Sequence, residues 1–213
     1  MFKGFLAESI VARAVQKGLC EVRLIDLKEF GIGRWKKTDD APYGGGPGML
    51  MRCEPWFAAV EKCLGAERGA RVILTDPKGA RFSQRDAEKL SKEAHLVFMC
   101  GHYEGFDARI ETLATDVYSL GDFVLTGGEL AAAAMTDAIV RLLPGALGGG
   151  VAATANESFS AAGGLEAPQY THPAEFRGMK VPEVLLSGDH RKIEAWRNAK
   201  AAELTAKKRP DLL

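Results

Sequence analysis

The stretch RVILTDPKG at residues 71–79, followed by HLVFMCGHYEG at 95–105, decides the fold. Each starts as a short apolar run and breaks into glycine-bearing polar sequence. RVILT predicts a strand ended by the turn DPKG. HLVFMC predicts a second strand, uniformly apolar as a strand buried on both faces of a parallel sheet must be. Between them Ser83 and Asp86 have the spacing of a capping box, which predicts a helix running to about Glu93. Strand, helix, strand in succession is the unit of a parallel sheet.

The same alternation continues outward. Toward the C-terminus, Phe106 to Ala114 reads as helix, DVYSLGDFVLTGGE (116–129) as a strand and turns, and Leu130 to Leu143 as a long apolar helix closed by Pro144. Toward the N-terminus, Glu54 to Leu64 reads as helix, Gly31 to Gly48 as polar loop, and EVRLIDL (21–27) as a short strand. Leu6, Ile10, Ala14 and Leu19 share one helical face, with a stop at Gly18. The expectation is an α/β domain with a mostly parallel sheet over residues 1–147. Composition then changes: GGGVAATANESFSAAGG (148–164) has almost no aliphatic bulk, so 148–165 is expected to be a flexible linker. The remaining 166–213 is loop-rich through PQYTHPAEFRGMKVPEVLLSG (168–188). Ser187 or Asp189 then caps a final helix reaching about Lys207, ended by Arg209-Pro210.

Charge gives no general argument for a nucleic-acid partner, because 28 Lys and Arg balance 28 Asp and Glu across the 213 residues. The cations are unevenly placed, however. Arg34, Lys36 and Lys37 cluster, and Arg191, Lys192, Arg197, Lys200, Lys207, Lys208 and Arg209 crowd the end. Such patches either bind phosphates or are solvated helix faces. No apolar run approaches the roughly 20 residues needed to span a bilayer, and MFKGFLAESI carries no secretory pattern. Cys20, Cys53, Cys63 and Cys100 are far apart, with no CxxC and no clustered histidines. That argues against a zinc site or a disulfide framework and fits reduced thiols in a cytoplasm.

Three glycine-rich strand ends are the candidate ligand loops: TDPKG (75–79), CGHYEG (100–105) and SLGDFVLTGGE (119–129). In open parallel sheets ligands sit beyond the carboxyl ends of the strands, but tight turns alone would also use glycine there. There is no GxxxxGK[ST] and no GxGxxG after the first strand, so the loops do not read as a phosphate cradle. A fourth loop, PYGGGPGMLM (42–51), packs little core and is either a structural turn or a surface lying close to something large.

Taken in order, PYGGGPGMLM, CGHYEGFDARI, SLGDFVLTGGELAA, RLLPG, ESFS, PQYTHPAEFRGMKVPEVLLSGDH and KRPDLL resemble the bacterial tRNA (guanine-N1)-methyltransferase family, across nearly the whole chain. The resemblance implies a trefoil-knotted, mostly parallel α/β sheet of the SPOUT class with a small helical C-terminal domain. It implies a cytoplasmic homodimer with the active site at the subunit interface, using S-adenosylmethionine to methylate N1 of guanosine 37 in tRNA. The methyl donor is then expected against Leu74, Thr75, Asp76 and Pro77, against Gly101, Tyr103, Glu104 and Gly105, and against Leu120, Gly121, Phe123, Leu125, Gly127 and Gly128. Neutral guanine N1 carries a proton and is a poor nucleophile, so a general base must remove it, and charge gathering on O6 must be held. By resemblance the base is Glu157 in NESF, where the family usually has aspartate, and the cation is Arg141 in RLLPG.

The same resemblance places Gly45, Gly46, Arg34, Lys36, Lys37 and Asp39 in tRNA contact, with Thr171, His190 and Arg197 from the C-terminal segment. His190 could equally cap or pack locally. The linker carrying Glu157 is expected to order over the active site as a lid when tRNA binds. Magnesium dependence is implied too, although the sequence offers no dedicated carboxylate cage and no metal ligands are assigned. Family members usually carry an apolar strand ahead of the point matched by Met1-Phe2 and extend past PDLL. The expectation is therefore a sheet lacking its first strand and a shortened C-terminal segment, with an inactive, RNA-binding-only relative that binds the donor without transfer as the alternative function.

Overall fold

A computed structural model of the chain describes residues 1–65, 69–149, 154, 157–160 and 163–213. Its contacts divide the chain into two compact units, Met1–Leu147 and Gly148–Leu213.

The first unit is built on a parallel sheet. Strands β1 (Asp39–Asp40) and β2 (Leu50–Met51) make a short antiparallel ladder, while β3 (Arg71–Arg81), β4 (Leu96–Cys100) and β5 (Asp116–Ser119) form a parallel sheet in the order β4-β3-β5. Five helices accompany them: α1 (Phe2–Ala7), α2 (Ser9–Gln16), α3 (Cys53–Leu64), α4 (Gln84–Leu90) and α5 (Glu129–Val140). Alternation along β3 feeds two cores. Val72 and Leu74 join Met51, Trp56, Val60, Met99 and Ile110 on one face. Ile73 joins Ala87, Leu90, Tyr118, Ala131, Met135 and Ile139 on the other. A sheet covered on both faces explains why VIL (72–74) and LVFM (96–99) are apolar without interruption.

Two further contacts fix the sheet. At its amino edge the Arg71 guanidinium grips Asp116 through Nε–Oδ2 at 2.9 Å and Nη2–Oδ1 at 2.5 Å, tying β3 to β5. The capping box opens α4 as expected: Asp86 Oδ2 accepts from the Ser83 backbone N–H at 2.9 Å and from Ser83 Oγ at 2.6 Å. Its other oxygen accepts from the Tyr118 hydroxyl at 3.0 Å, which links the helix start to β5.

Several sequence expectations are corrected. EVRLIDL is not a strand: residues 21–26 are irregular and lead into a 3-10 turn, Leu27–Phe30, capped by the Asp26 carboxylate accepting from the Lys28 N–H at 2.9 Å. Leu24 and Ile25 are 53% and 43% exposed, and among the described residues no strand supplies ladder partners there. β-propensity alone does not hold an extended segment without them. DPKG does not end its strand, because β3 leaves the sheet and rejoins it, Thr75 and Ala80 both standing opposite Tyr118. The N-terminal helix is two helices, broken where Glu8 is extended and Ser9 has φ 58°. The segment 106–114 is a 3-10 helix, Ala108–Leu113, rather than an α-helix.

The second unit holds a hairpin of β6 (Glu175–Phe176) and β7 (Met179–Lys180), a short α6 (Glu183–Leu186) and the long α7 (His190–Lys208). Of the two proposed caps, Asp189 opens α7, its carboxylate accepting from the Lys192 N–H at 3.2 Å. Part of the expected linker lies outside the described residues: 150–153, 155, 156, 161 and 162. Around Phe159 and Leu165 the linker is held against the end of α7. Phe159 N–H donates to Gly164 O at 2.8 Å, Leu165 N–H donates to Thr205 Oγ1 at 2.9 Å, and the Arg209 guanidinium lies 5.5 Å over the Phe159 ring.

Candidate active site

The carboxyl ends of β3, β4 and β5 bring the three glycine loops together. Thr75, 7% exposed, donates its hydroxyl to Met99 O at 3.0 Å, so the last residue of RVILT is pinned to β4. Gly128 N–H donates to Gly101 O at 2.9 Å, and His102 bridges Gly127. The space between these backbones is nil: a Cβ on Gly128 would stand 2.1 Å from Thr75 Oγ1 and 2.9 Å from Cys100 Cα. Leu74, Thr75, Gly101, Gly127 and Gly128 therefore form a closed floor, while other expected donor residues rise from it into solvent. Tyr103 is 61% exposed with φ 62°, a strained value for a bulky side chain, and Phe123 is 54% exposed. Leu125, Pro77 and Glu104 are also exposed; Asp76, Gly105, Leu120 and Gly121 are half-buried. Asp76 Oδ1 accepts from the Lys78 N–H at 2.8 Å and shapes the excursion of β3.

The fourth loop docks onto the second. Met51 N–H donates to Gly105 O at 2.9 Å, Glu104 N–H to Met49 O at 3.1 Å, and Asp107 N–H to Met51 O at 2.9 Å. PYGGGPGMLM is thereby fixed beside CGHYEG, while Gly45 and Gly46 stay exposed.

Three electrostatic features of this region were not read in the sequence. His102 Nε2 lies 2.5 Å from Glu129 Oε1, at the first residue of α5, and the other carboxylate oxygen of Glu129 is buried with no hydrogen-bond partner among the described residues. Burial, with the Glu129 carboxylate nearby, pushes the Cys100 thiol up to about 12. Arg109 hydrogen-bonds Asp107 through its side chain and backbone and holds that carboxyl far below the usual range. A His–Glu pair separated by 27 residues leaves no local spacing signal; only knowledge that both loops end at one sheet edge would have joined them.

Arg141 follows α5 as its C-terminal cap, half-buried, its N–H donating to Asp137 O at 3.1 Å. Glu157 belongs to the second unit, in a bend whose carbonyl accepts from the Ser160 N–H at 3.1 Å. Of the expected RNA contacts, Arg34, Lys36 and Lys37 are exposed on a turn, and Asp39 is half-buried in β1. Thr171, His190 and Arg197 are exposed in the second unit, the latter two on α7. Among the described residues no three His, Cys, Asp or Glu side chains gather to hold a metal ion, and no helix is long and apolar enough to cross a membrane.

Fold and loops together are those of a mixed α/β protein whose parallel sheet gathers glycine loops at its carboxyl edge. The family described as tRNA (Guanine-1)-methyltransferase TrmD matches residues 1–213. The tRNA (guanine-N(1)-)-methyltransferase of Geobacillus kaustophilus (strain HTA426) is 53% identical over 214 residues, 100% of this chain and 87% of that protein. The protein of the same name from Symbiobacterium thermophilum is 51% identical over 210 residues, 97% of this chain and 84% of that one. The one from Latilactobacillus sakei subsp. sakei (strain 23K) is 50% identical over 214 residues, 100% and 86%. The chain belongs to the tRNA (guanine-1)-methyltransferase TrmD family.

Proposed function

We propose that the protein transfers a methyl group from S-adenosylmethionine to N1 of guanosine 37 in tRNA, beside the anticodon. The observation that carries this is the identity of 53% to a tRNA (guanine-N(1)-)-methyltransferase over 100% of the chain. The trefoil knot of the SPOUT class and a homodimer with its active site between subunits are part of the same reading.

The residues at the sheet edge fit a donor with a flat base and an amino-acid tail. The floor supplies backbone donors and acceptors, and the exposed Tyr103, Phe123 and Leu125 supply apolar surface above it. Bound there, S-adenosylmethionine supplies an electrophilic methyl on a sulfonium. The chain's own residues prepare the acceptor. Glu157 takes the proton from guanine N1, leaving the nitrogen lone pair free to form the new N–C bond. The Arg141 guanidinium holds the negative charge that gathers on O6 as that proton leaves. Glu157 is one methylene longer than the family's usual aspartate, and either carboxylate can accept the proton. No step is derived through magnesium.

The test is transfer of labelled methyl to an unmodified tRNA transcript with guanosines at positions 36 and 37, beside a guanosine-37-to-adenosine transcript. Label on the first alone supports the reading. A protein that binds the donor and labels neither would be a binding relative.

A further inference from the structure

We propose that Trp35 is a stacking platform for an unpaired base of the RNA substrate, an inference that rests on the tRNA-methylating reading above. Trp35 is 79% exposed, whereas Trp56 is 8% exposed and packed against Phe106. A ring of that size held in water forgoes burial that the core would have rewarded. Its support is nevertheless rigid. Ile32 N–H donates to Lys37 O at 2.9 Å, Lys37 N–H to Ile32 O at 3.0 Å, and Lys36 N–H to Gly33 O at 3.1 Å, closing the turn that presents the ring. The Arg34 guanidinium lies 5.4 Å over the ring centroid, a cation–π contact that orients the indole. The exposure leaves the ring available to a second flat partner.

The neighbourhood selects the partner. Lys36 and Lys37 are exposed on the same turn; the Asp40 carboxylate, which lies within electrostatic reach of Lys37, is paired with Arg52 at 2.5 Å. An aromatic ring set among cations is what single-stranded nucleic acid sites use, the cations for phosphates and the ring for a base. Lysine is depleted at protein–protein interfaces, so the flanking lysines favour RNA over a protein partner.

The experiment compares the full-length wild type with Trp35→Ala, Trp35→Phe and Lys37→Ala. Each is titrated with an unmodified tRNA transcript over a salt series, with melting temperature and particle mass measured alongside. Trp35→Ala is expected to weaken tRNA binding roughly 10-fold while the salt slope, melting temperature and mass stay unchanged. Trp35→Phe is expected to recover most of that loss, and Lys37→Ala to reduce the salt slope by about one. The proposal is overturned if Trp35→Ala binds like wild type, or if its salt slope falls as with Lys37→Ala, which would make the ring a prop for a phosphate contact. A changed particle mass also overturns it, since Trp35 would then pack against another protein chain. A wild type that methylates tRNA while Trp35→Ala binds it equally well sinks this inference alone. A wild type that neither binds nor methylates tRNA sinks the functional reading, and this inference with it.

Discussion

Thr75 and Gly128 touch so closely across the sheet edge that one methyl group cannot be placed between them. A Cβ on Gly128 would sit 2.1 Å from the Thr75 hydroxyl, with Cys100 Cα at 2.9 Å and Gly101 N at 3.0 Å behind it. Two of these three neighbours are backbone, which cannot swing aside as a side chain can. Gly128→Ala is expected to destabilise the fold by about 2–4 kcal/mol and to abolish donor binding. Urea unfolding and calorimetric titration with S-adenosylmethionine check both; unchanged unfolding would mean that the loops are less tightly packed than described.

Glu157 and Arg141 are proposed to act only as the N1 proton departs. Their removal should therefore leave donor affinity intact. Glu157→Gln is expected to lower methyl transfer roughly 10²–10⁴-fold, and Arg141→Lys on the order of 10²-fold, in single-turnover assays with saturating tRNA. A fall in donor affinity of matching size would move these residues from chemistry to binding.

Asp116 gives a pH signature. Partial burial would raise its carboxyl, but hydrogen bonds from Arg71 and Thr115 outweigh that and hold it below the usual carboxylate range. A depressed folded value means that its contribution is complete above the unfolded value, near pH 4, and is lost as pH falls through the folded one. Asp116→Asn is expected to cost about 1–3 kcal/mol at pH 7, and the gap from wild type should close toward pH 2. Urea midpoints across that range decide it; a gap that persists in acid would assign the loss to packing.

With its thiol at about 12, Cys100 holds almost no thiolate at pH 8. Its alkylation by iodoacetamide is expected to be on the order of 50-fold slower than that of a free thiol, read by peptide mass spectrometry. Rapid labelling would mean that the loop ahead of Gly101 opens readily.

The sheet was legible because burial on both faces leaves its mark on every residue of VIL (72–74) and LVFM (96–99). The start of α4 was legible because Ser83 and Asp86 answer each other within one turn. What was misread depended on distant partners. EVRLIDL has the residues of a strand, but Leu24 and Ile25 find no ladder among the described residues. DPKG has the residues of a turn, yet β5 continues past it and draws the chain back. Of the candidate site, the loops were readable from glycine at strand ends. The His102–Glu129 pair was not, since only the fold brings residues 102 and 129 together.

The excursion of β3 also bears on how such a chain can change over generations. Because Thr75 and Ala80 both stand opposite Tyr118, the residues between them take no part in the pairing of β3 with β5. Insertions or deletions within 76–78 are expected to rewrite one wall of the proposed donor site with little effect on the paired residues of the sheet. Only the return point is fixed in kind, since a Cβ on Gly79 would lie 2.6 Å from the carbonyl carbon of Val117. Variation in specificity can thus accumulate at this one place by altering length, with a single glycine marking where the freedom stops.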